Sequence, residues 1–551
     1  MELDRRSFIT GSVALGGAAM LAGIAGCSAP QQNADEGSDA GSKPTSEPKA
    51  ETGSKADFLA KPDPIPDDQI SETLEADIVV VGAGNAGAVA TATAAEEGAS
   101  VIVLQKVECV FSHGFVFTAI GSKMQADLGY NVNGWEIVGD MARETGCNLA
   151  KWEVLGNWVK YSGNLADWLV GKFNDTKFGP FVIEDPVAPS EHWNRSFRTT
   201  FIPTGEMIGT GTMMTLATEL VNEAVEKGNV EVRYNTPAVQ LRQDDAGRVT
   251  GVVAQDESGA YLLCNARKGV ILAAGGYECN PEMRAALLPQ ADGLEAAYSR
   301  PDVTTGDGIL MGVWAGGQIQ RQPHCSNIHY DPSLRFHTVQ GTTIPWLRVN
   351  TEGKRFSNED VSYDEVWAQD VRQPDCMHYQ VFDDNYLADL PNMGTGMTQY
   401  GDWTTIVPDG VKNGWVYSAD TIEGLAEAMG VPADAFASTV ERYNELADGD
   451  FEYEPDFGKL AYKVKKIEKP PFYAIPRHAS VLTTLSGLEV NADMQVLGED
   501  RSPIEGLYAA GNCSGNFFGG VYQKMTTPGM SVGRAFLTGR VAAWRACGKK
   551  D

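Results

Sequence analysis

The sequence predicts an α/β fold built round a discontinuous dinucleotide-binding domain, and two observations carry that prediction. The first is a strand–loop–helix–strand unit. Residues 76–81 (Ala-Asp-Ile-Val-Val-Val) form a short, β-branched apolar run, as a buried parallel strand requires. They lead into Gly82-Ala83-Gly84-Asn85-Ala86-Gly87, a G-x-G-x-x-G loop, then a small-residue helix over 88–97 and a second strand over 100–104. In that context Gly82 makes the tight turn, Gly84 lets the backbone approach a pyrophosphate, and Gly87 lets helix and strand pack closely. The pyrophosphate rests on the helix N-terminus, where N–H groups and the dipole favour negative charge. The second observation is a repeated pattern of an apolar strand ending in small residues. It occurs at 268–276, closing on Ala273-Ala274-Gly275-Gly276, and at 506–512, closing on Gly511-Asn512. Pieces this widely separated returning to one sheet imply a discontinuous domain.

The elements between follow in order. Residues 230–234 and 236–241, the latter containing Val239, read as strands, and 249–255 with 261–266 as a hairpin. At the end of the second strand an acidic residue usually holds the ribose hydroxyls. Gln105 stands there, followed by Lys106, and a glutamine still hydrogen-bonds a ribose.

Composition bounds the function. At about 150 residues per domain, 551 residues allow two or three units. A chain 43% hydrophobic is not disordered, and its 60 glycines show no collagen-like period. The formal net charge of −29 repels phosphate backbones, which excludes nucleic acid as a partner. Nine cysteines, none in C-x-x-C or C-x-x-C-H, exclude a covalent c-type haem in this chain. Ordinary buried thiols and a cluster gathered from scattered cysteines both fit that spacing.

The N-terminus carries an address. Arg5-Arg6-Ser7-Phe8 followed by a weakly apolar stretch of small residues resembles a twin-arginine export signal. Ile24-Ala25-Gly26-Cys27 resembles a lipobox, which makes Cys27 the lipidated first residue of the mature protein; the alternative is an ordinary signal cut nearby. Residues 28–73 hold few large apolar side chains and read as a disordered tether.

Together these pieces resemble the FAD-dependent fumarate reductase/succinate dehydrogenase flavoprotein family (FAD-binding oxidoreductase 2), with its urocanate reductase and 3-ketosteroid dehydrogenase branches. The resemblance spans about 74–546. It rests on 82–87, 273–276, Thr305-Gly306-Asp307-Gly308, Gly353-Lys354-Arg355-Phe356-Ser357-Asn358-Glu359 and 506–512. It implies a Rossmann-like FAD-binding domain interrupted by an α+β capping domain, α+β overall: FAD-binding residues 74–334 and 481–551, cap 335–480. It further implies non-covalent FAD held by Gly82, Gly84, Asn85, Ala86, Gly87, Gln105, Lys106, Gly114, Val239, Ala274, Gly275, Asp307, Asn512, Ser531 and Val532, with no metal and with the active site between the two domains.

What is missing points to a branch. Fumarate reductases carry an arginine shortly after the strand at 379–384, where this chain has Asn385-Tyr386-Leu387. They carry a histidine pair where this chain has 482–487, Leu-Thr-Thr-Leu-Ser-Gly, and a His-Gly-Ala-Asn-Arg element where it has 517–522, Phe-Phe-Gly-Gly-Val-Tyr. Arginine and histidine clamp a small dicarboxylate bidentately, so three losses argue against one. Phenolic groups take their place. The resemblance makes Arg355, Glu359 and Tyr363 catalytic candidates: Tyr363, four residues after Glu359, resembles the ketosteroid dehydrogenase tyrosine that exchanges the proton. Tyr522 with Gly529 resembles the pair that binds a ketone oxygen. An aryl hydroxyl can protonate an enolate carbon, and a tyrosine with a backbone N–H can form an oxyanion hole. Lesser candidates are His113, the cluster His324, Cys325, His329 and Tyr330, then Trp346 and Arg534.

The resulting expectation is an exported FAD-dependent reductase, or in reverse a dehydrogenase, acting on a carbon–carbon double bond conjugated to a carbonyl. The substrate class is a steroid enone, an unsaturated lactone such as a cardiac glycoside, or a phenolic acid. A single dinucleotide fingerprint, taken by FAD, leaves electrons to come from a membrane-bound multihaem cytochrome or flavoprotein. The acidic surface suits such a partner. The protein is expected on the outer face of the cytoplasmic membrane, held by its lipid anchor. The alternatives are a fumarate- or urocanate-type respiratory reductase with an altered carboxylate clamp, and a non-catalytic exported flavin electron carrier.

Overall fold

A computed structural model describes residues 57–144, 149–184, 197–206, 211–296, 299–330, 344–361, 363–393, 402–522 and 526–550. The arginine pair, Cys27 and most of the tether lie outside these residues, as do the side chains at 362–365.

The largest sheet has eight strands. Its main path runs Gln495–Leu497, Pro503–Ala509, Tyr261–Leu272, Ile70–Val81, Val101–Leu104, Val230–Arg233, with Ala238–Gln243 and Val249–Gln255 attached through Tyr261–Leu272. The four pairings from Pro503–Ala509 across to Val230–Arg233 are parallel: Val270 lies opposite both Val79 and Leu507, and Ile102 opposite both Val79 and Glu231. Three distant chain segments therefore share one sheet. Parallel strands need cover on both faces, which explains their apolar β-branched sequences. Helix Asn85–Glu96 is buried from Ala86 to Ala95 and supplies one cover. Its small residues let the C-terminal helix Met530–Ala546 lie against it so closely that a Cβ on Gly539 would stand 2.1 Å from the Ala86 carbonyl oxygen.

Two expectations are corrected here. The hairpin strand at 261–266 and the strand opening the 268–276 segment are one strand, Tyr261–Leu272. Arg267 and Lys268 look like a break in the sequence, but the register shifts there and both cations reach Asp77, at 3.1 and 3.6 Å. The tether expected over 28–73 is replaced by ordered chain from residue 57. Phe58 packs on the core, the Ile65 N–H donates to Gln240 Oε1 at 3.0 Å, and strand Ile70–Val81 starts by pairing Ile70 with Tyr261. The polar composition hid this because these residues add to an existing sheet edge and need little apolar area of their own.

A second unit lies within the stretch 335–480. Strands Leu347–Val349, Met377–Phe382, Phe472–His478 and Tyr417–Ala419 form an antiparallel sheet. One face carries Leu347, Val349, Tyr379, Val381 and Ala474 into a core with Leu425, Phe436 and Val440 from helices Ile422–Met429 and Ala433–Ala447. By strand alternation the other face carries Arg348, His378, Gln380 and Arg477. Two residues past the last strand, Ser480–Thr484 pairs with Ser326–His329 and returns the chain to the nucleotide-binding half.

Candidate active site

The glycine loop is built as its sequence requires. Gly82 has φ +97°, and a Cβ there would meet the Ala273 carbonyl oxygen at 2.5 Å. A Cβ on Gly87 would sit 1.8 Å from the Gly82 carbonyl oxygen, so that glycine is demanded by the fold itself. Gly84 differs: its nearest neighbour would be the Phe111 carbonyl oxygen at 3.1 Å, so the fold tolerates more there than the phosphate approach does. Helix Asn85–Glu96 has no side-chain cap at Gly84 and no acidic residue in its first turn, as an anion site requires. Asn85 donates to the His113 carbonyl at 2.9 Å and accepts from Ser112 at 2.7 Å, pinning the segment that carries Gly114 over the loop. A Cβ on Gly114 would meet Val532 at 2.6 Å, which joins this segment to the first turn of helix Met530–Ala546. That helix too has no side-chain cap and no first-turn acid. Two bare helix starts beside the carboxyl ends of parallel strands fit a dinucleotide, and FAD is the cofactor these residues would hold.

Gln105 departs from the ribose role expected of it. Its Oε1 accepts from the Ala83 N–H at 3.0 Å and its amide NH2 donates to the Cys109 carbonyl at 2.6 Å. A carboxylate could not make the second bond, having no proton to donate. The glutamine therefore ties the glycine loop to the following turn. Lys106 meets Asp307 at 2.9 Å and Thr305 at 3.0 Å, bringing two expected FAD residues together across the sequence. Ala274 and Gly275 lie just past the end of strand Tyr261–Leu272. Val239, on strand Ala238–Gln243, is half-buried.

The second half of the site gathers round helix Met530–Ala546. Gly529 caps it with φ +88°, and a Cβ there would lie 2.9 Å from Val116, so no other residue fits. The Tyr522 hydroxyl oxygen accepts from the Ser531 N–H at 3.2 Å. Tyr522, Gly529 and Ser531 are thus brought together as expected residues. Two large apolar side chains flanking them in sequence or space, Phe115 and Val521, are 50% and 40% exposed. Arg534, one turn into the same helix, is fully buried. It donates to the Gly511 carbonyl (2.9 Å), the Ser514 carbonyl (3.1 Å) and Asn512 Oδ1 (2.5 Å), and lies over the Phe518 ring. Burial lowers its pKa to about 10. Asn512 in turn donates to Thr483 at 2.6 Å.

Arg355 and Glu359, expected as catalytic, belong to a buried ionic network inside the cap. Arg355 grips Glu359 through two bonds of 2.8 Å and reaches Glu454 at 3.0 Å. Lys459 lies 3.4 Å from Glu359 and donates to the Tyr443 hydroxyl at 2.6 Å. Burial pushes the Glu359 carboxyl up, but Lys459 and Arg355 outweigh it and hold the pKa at about 2. A group that acidic stays ionised and donates no proton near neutrality. The correction has a plain cause: an i,i+4 Arg–Glu pair reads equally as chemistry or as a fastener, and the partners that decide it lie about a hundred residues on. Tyr363 opens helix Tyr363–Asp370, but its side chain is outside the described residues.

The lesser candidates divide. His113 is half-buried, and desolvation lowers its pKa to about 4, so it is neutral at physiological pH. His324 bonds the Tyr277 hydroxyl at 2.7 Å and the Gln320 carbonyl at 2.8 Å, which fixes its tautomer and marks it as structural. Trp346 stacks on Phe382 with centroids 4.0 Å apart inside a cap core. Tyr330 donates to Asp370 at 2.5 Å, and Asp370 also meets His378 at 2.9 Å, a buried chain across the cap junction. Asp370 and His378 escaped the sequence reading; polar residues alternating along an otherwise apolar strand, as in Met377–Phe382, are the signal that could have found His378.

The comparisons agree with this architecture. A family model described as "FAD binding domain" matches residues 77–528. A vinyl phenol reductase of Lactiplantibacillus plantarum is 28% identical over 84% of this chain and 94% of its own. A urocanate reductase of Eggerthella lenta is 29% identical over 86% of this chain and 75% of its own. Among solved structures, the 3-ketosteroid-Δ4-(5α)-dehydrogenase of Rhodococcus jostii in complex with 4-androstene-3,17-dione superposes with a TM-score of 0.64. It is 25% identical and covers 88% of this chain and 99% of that one.

Proposed function

This chain belongs to the FAD binding domain family, and we propose that within it the protein is an exported ene-reductase whose alkene is conjugated to a carbonyl and bears no dicarboxylate. It is an FAD-dependent oxidoreductase acting on CH–CH groups. The observation that supports the enone reading is the Tyr522–Gly529–Ser531 corner: a phenolic hydroxyl held at a helix N-terminus by the Ser531 N–H, with the capping glycine and half-exposed apolar side chains beside it.

When bound, FAD supplies an electron pair and one hydrogen to the double bond. The chain's own groups do the rest. The Tyr522 hydroxyl and the Gly529 N–H hold the carbonyl oxygen and stabilise the negative charge that grows on it. Tyr363 delivers the proton to the second carbon, a phenol being a competent acid toward an enolate. Phe115 and Val521 cover the apolar body of a steroid enone, an unsaturated lactone or a phenolic acid, excluding water from the growing charge. Electrons arrive from a membrane-bound multihaem cytochrome or flavoprotein, and the enzyme is a lipoprotein outside the cytoplasmic membrane, a reading supported by the Arg5-Arg6 pair and Cys27.

A second reading, an acid-bearing alkene of the urocanate type, is favoured by the cap's buried Arg348 and Arg477 on the sheet face away from its helical core. Turnover with reduced viologen across enones, lactones, phenolic acids, fumarate and urocanate decides. Enone or lactone turnover supports the first reading and exclusive turnover of carboxylates supports the second. No turnover of any alkene, with FAD bound, would identify an electron carrier.

A further inference from the structure

Arg534 presents an electrostatic imbalance that the fold does not explain. Its side chain is fully buried, yet its three hydrogen-bond acceptors are neutral: two peptide carbonyls and the Asn512 amide. Among the described residues it has no carboxylate within ion-pair distance; the groups that face it are Cys325, Tyr522, the Phe518 ring and Cys513, whose thiol burial pushes up to about 12. Its Nε is buried without a partner. Three deeply buried cations of the cap, Arg355, Lys459 and Lys463, meet carboxylates instead. An unneutralised buried cation costs several kcal/mol, so one that persists marks a place where negative charge arrives from outside the chain.

The surroundings identify that charge. Arg534 grips Asn512 and the 511–514 turn at the end of strand Pro503–Ala509, and stands one turn inside the helix whose first residues include Ser531 and Val532. Asn512, Ser531 and Val532 are FAD residues in the reading above, and this inference rests on it. The bare start of helix Met530–Ala546 adds partial positive charge of the same sign. We infer that Arg534 is a positioning residue that favours the reduced flavin, by holding Asn512 in place and by setting a full positive charge, through that amide and the helix start, against the negative charge a reduced flavin carries on its pyrimidine ring. The consequence is a cofactor drawn toward reduction and an enzyme readily loaded by its electron donor.

Two equilibria read this without turnover. The first is the two-electron reduction midpoint of the bound flavin. The second is sulfite affinity: sulfite bonds through sulfur to flavin N5, the displaced electron pair comes to rest on the N1–C2 carbonyl system, and nothing leaves. Arg534→Met, which keeps length without charge, is expected to weaken sulfite binding and disfavour reduction by about ten- to a hundredfold each, roughly 30–60 mV in the midpoint. Arg534→Lys should stay within a few-fold of wild type. If Arg534→Met keeps its FAD and both equilibria stay within twofold, the inference is overturned while the FAD reading stands. Wild-type protein that binds no FAD would overturn the reading beneath it. Should Arg534→Met fail to fold, the wild-type enzyme decides through proton uptake on reduction at mildly acidic pH, where free flavin takes two protons per electron pair. One proton supports the inference and two overturn it.

Discussion

Tyr522 and Tyr363 divide the proposed chemistry between holding an oxygen and giving a proton, and phenylalanine at each removes only a hydroxyl. Tyr363→Phe is expected to lower kcat and kcat/KM together by about 10²–10⁴, the worth of a positioned acid. Tyr522→Phe leaves the Gly529 N–H in place, so a fall of about 10–10³ is expected. Steady-state kinetics on the best substrate of the panel checks both, and a Tyr363→Phe enzyme within threefold of wild type removes that residue from the mechanism. At the glycine loop, Gly84→Val and Gly87→Ala should differ. The first places a Cβ 3.1 Å from the Phe111 carbonyl oxygen, a contact a small shift relieves, but fills space the pyrophosphate needs, so a folded protein without flavin absorbance is expected. The second drives a Cβ into the Gly82 carbonyl and should cost the fold itself, read as a lowered Tm. The glycine loop was legible because it answers to local geometry. Gln105 was not, because the partner its amide donates to, the Cys109 carbonyl, is a property of the folded turn and not of residue type.

At the scale of elements, the cap owes its cohesion to the Arg355–Glu359–Lys459 network as well as to its apolar core. Arg355→Met would strip Glu359 of its two-bond partner while it stays buried, and a loss of about 3–5 kcal/mol is expected in denaturant unfolding. The sign of the pH effect follows from the depressed carboxyl. Glu359 ionises near 4.5 in the unfolded chain and about 2 when folded, so its contribution is full above the first value and is lost as pH falls toward the second. Acid unfolding of wild type should steepen across that window, and Glu359→Gln should remove that part of the slope. The strand–loop–helix unit and the strand ends near 273 and 509 were readable because apolar runs and glycines are local signals. Strand Tyr261–Leu272 was misread as two because Arg267 and Lys268 look like loop residues until Asp77 is placed beside them.

At the scale of the whole molecule, export and anchoring are proposals carried by residues 1–27. Replacing Arg5 and Arg6 by lysine should leave the enzyme in the cytoplasm, and Cys27→Ala should free it from the membrane fraction with unchanged specific activity. Among the described residues no helix is long and apolar enough to cross a membrane, so a membrane-bound Cys27→Ala protein would point to an anchor in another form. The most direct test of the central claim is a single turnover. The enzyme is reduced without oxygen, mixed with an enone or with fumarate, and followed by the return of oxidised flavin absorbance. The account predicts that the enone reoxidises the enzyme at least roughly tenfold faster than fumarate, a difference of about 1.4 kcal/mol in barrier. Reoxidation by fumarate as fast as by any enone would contradict it.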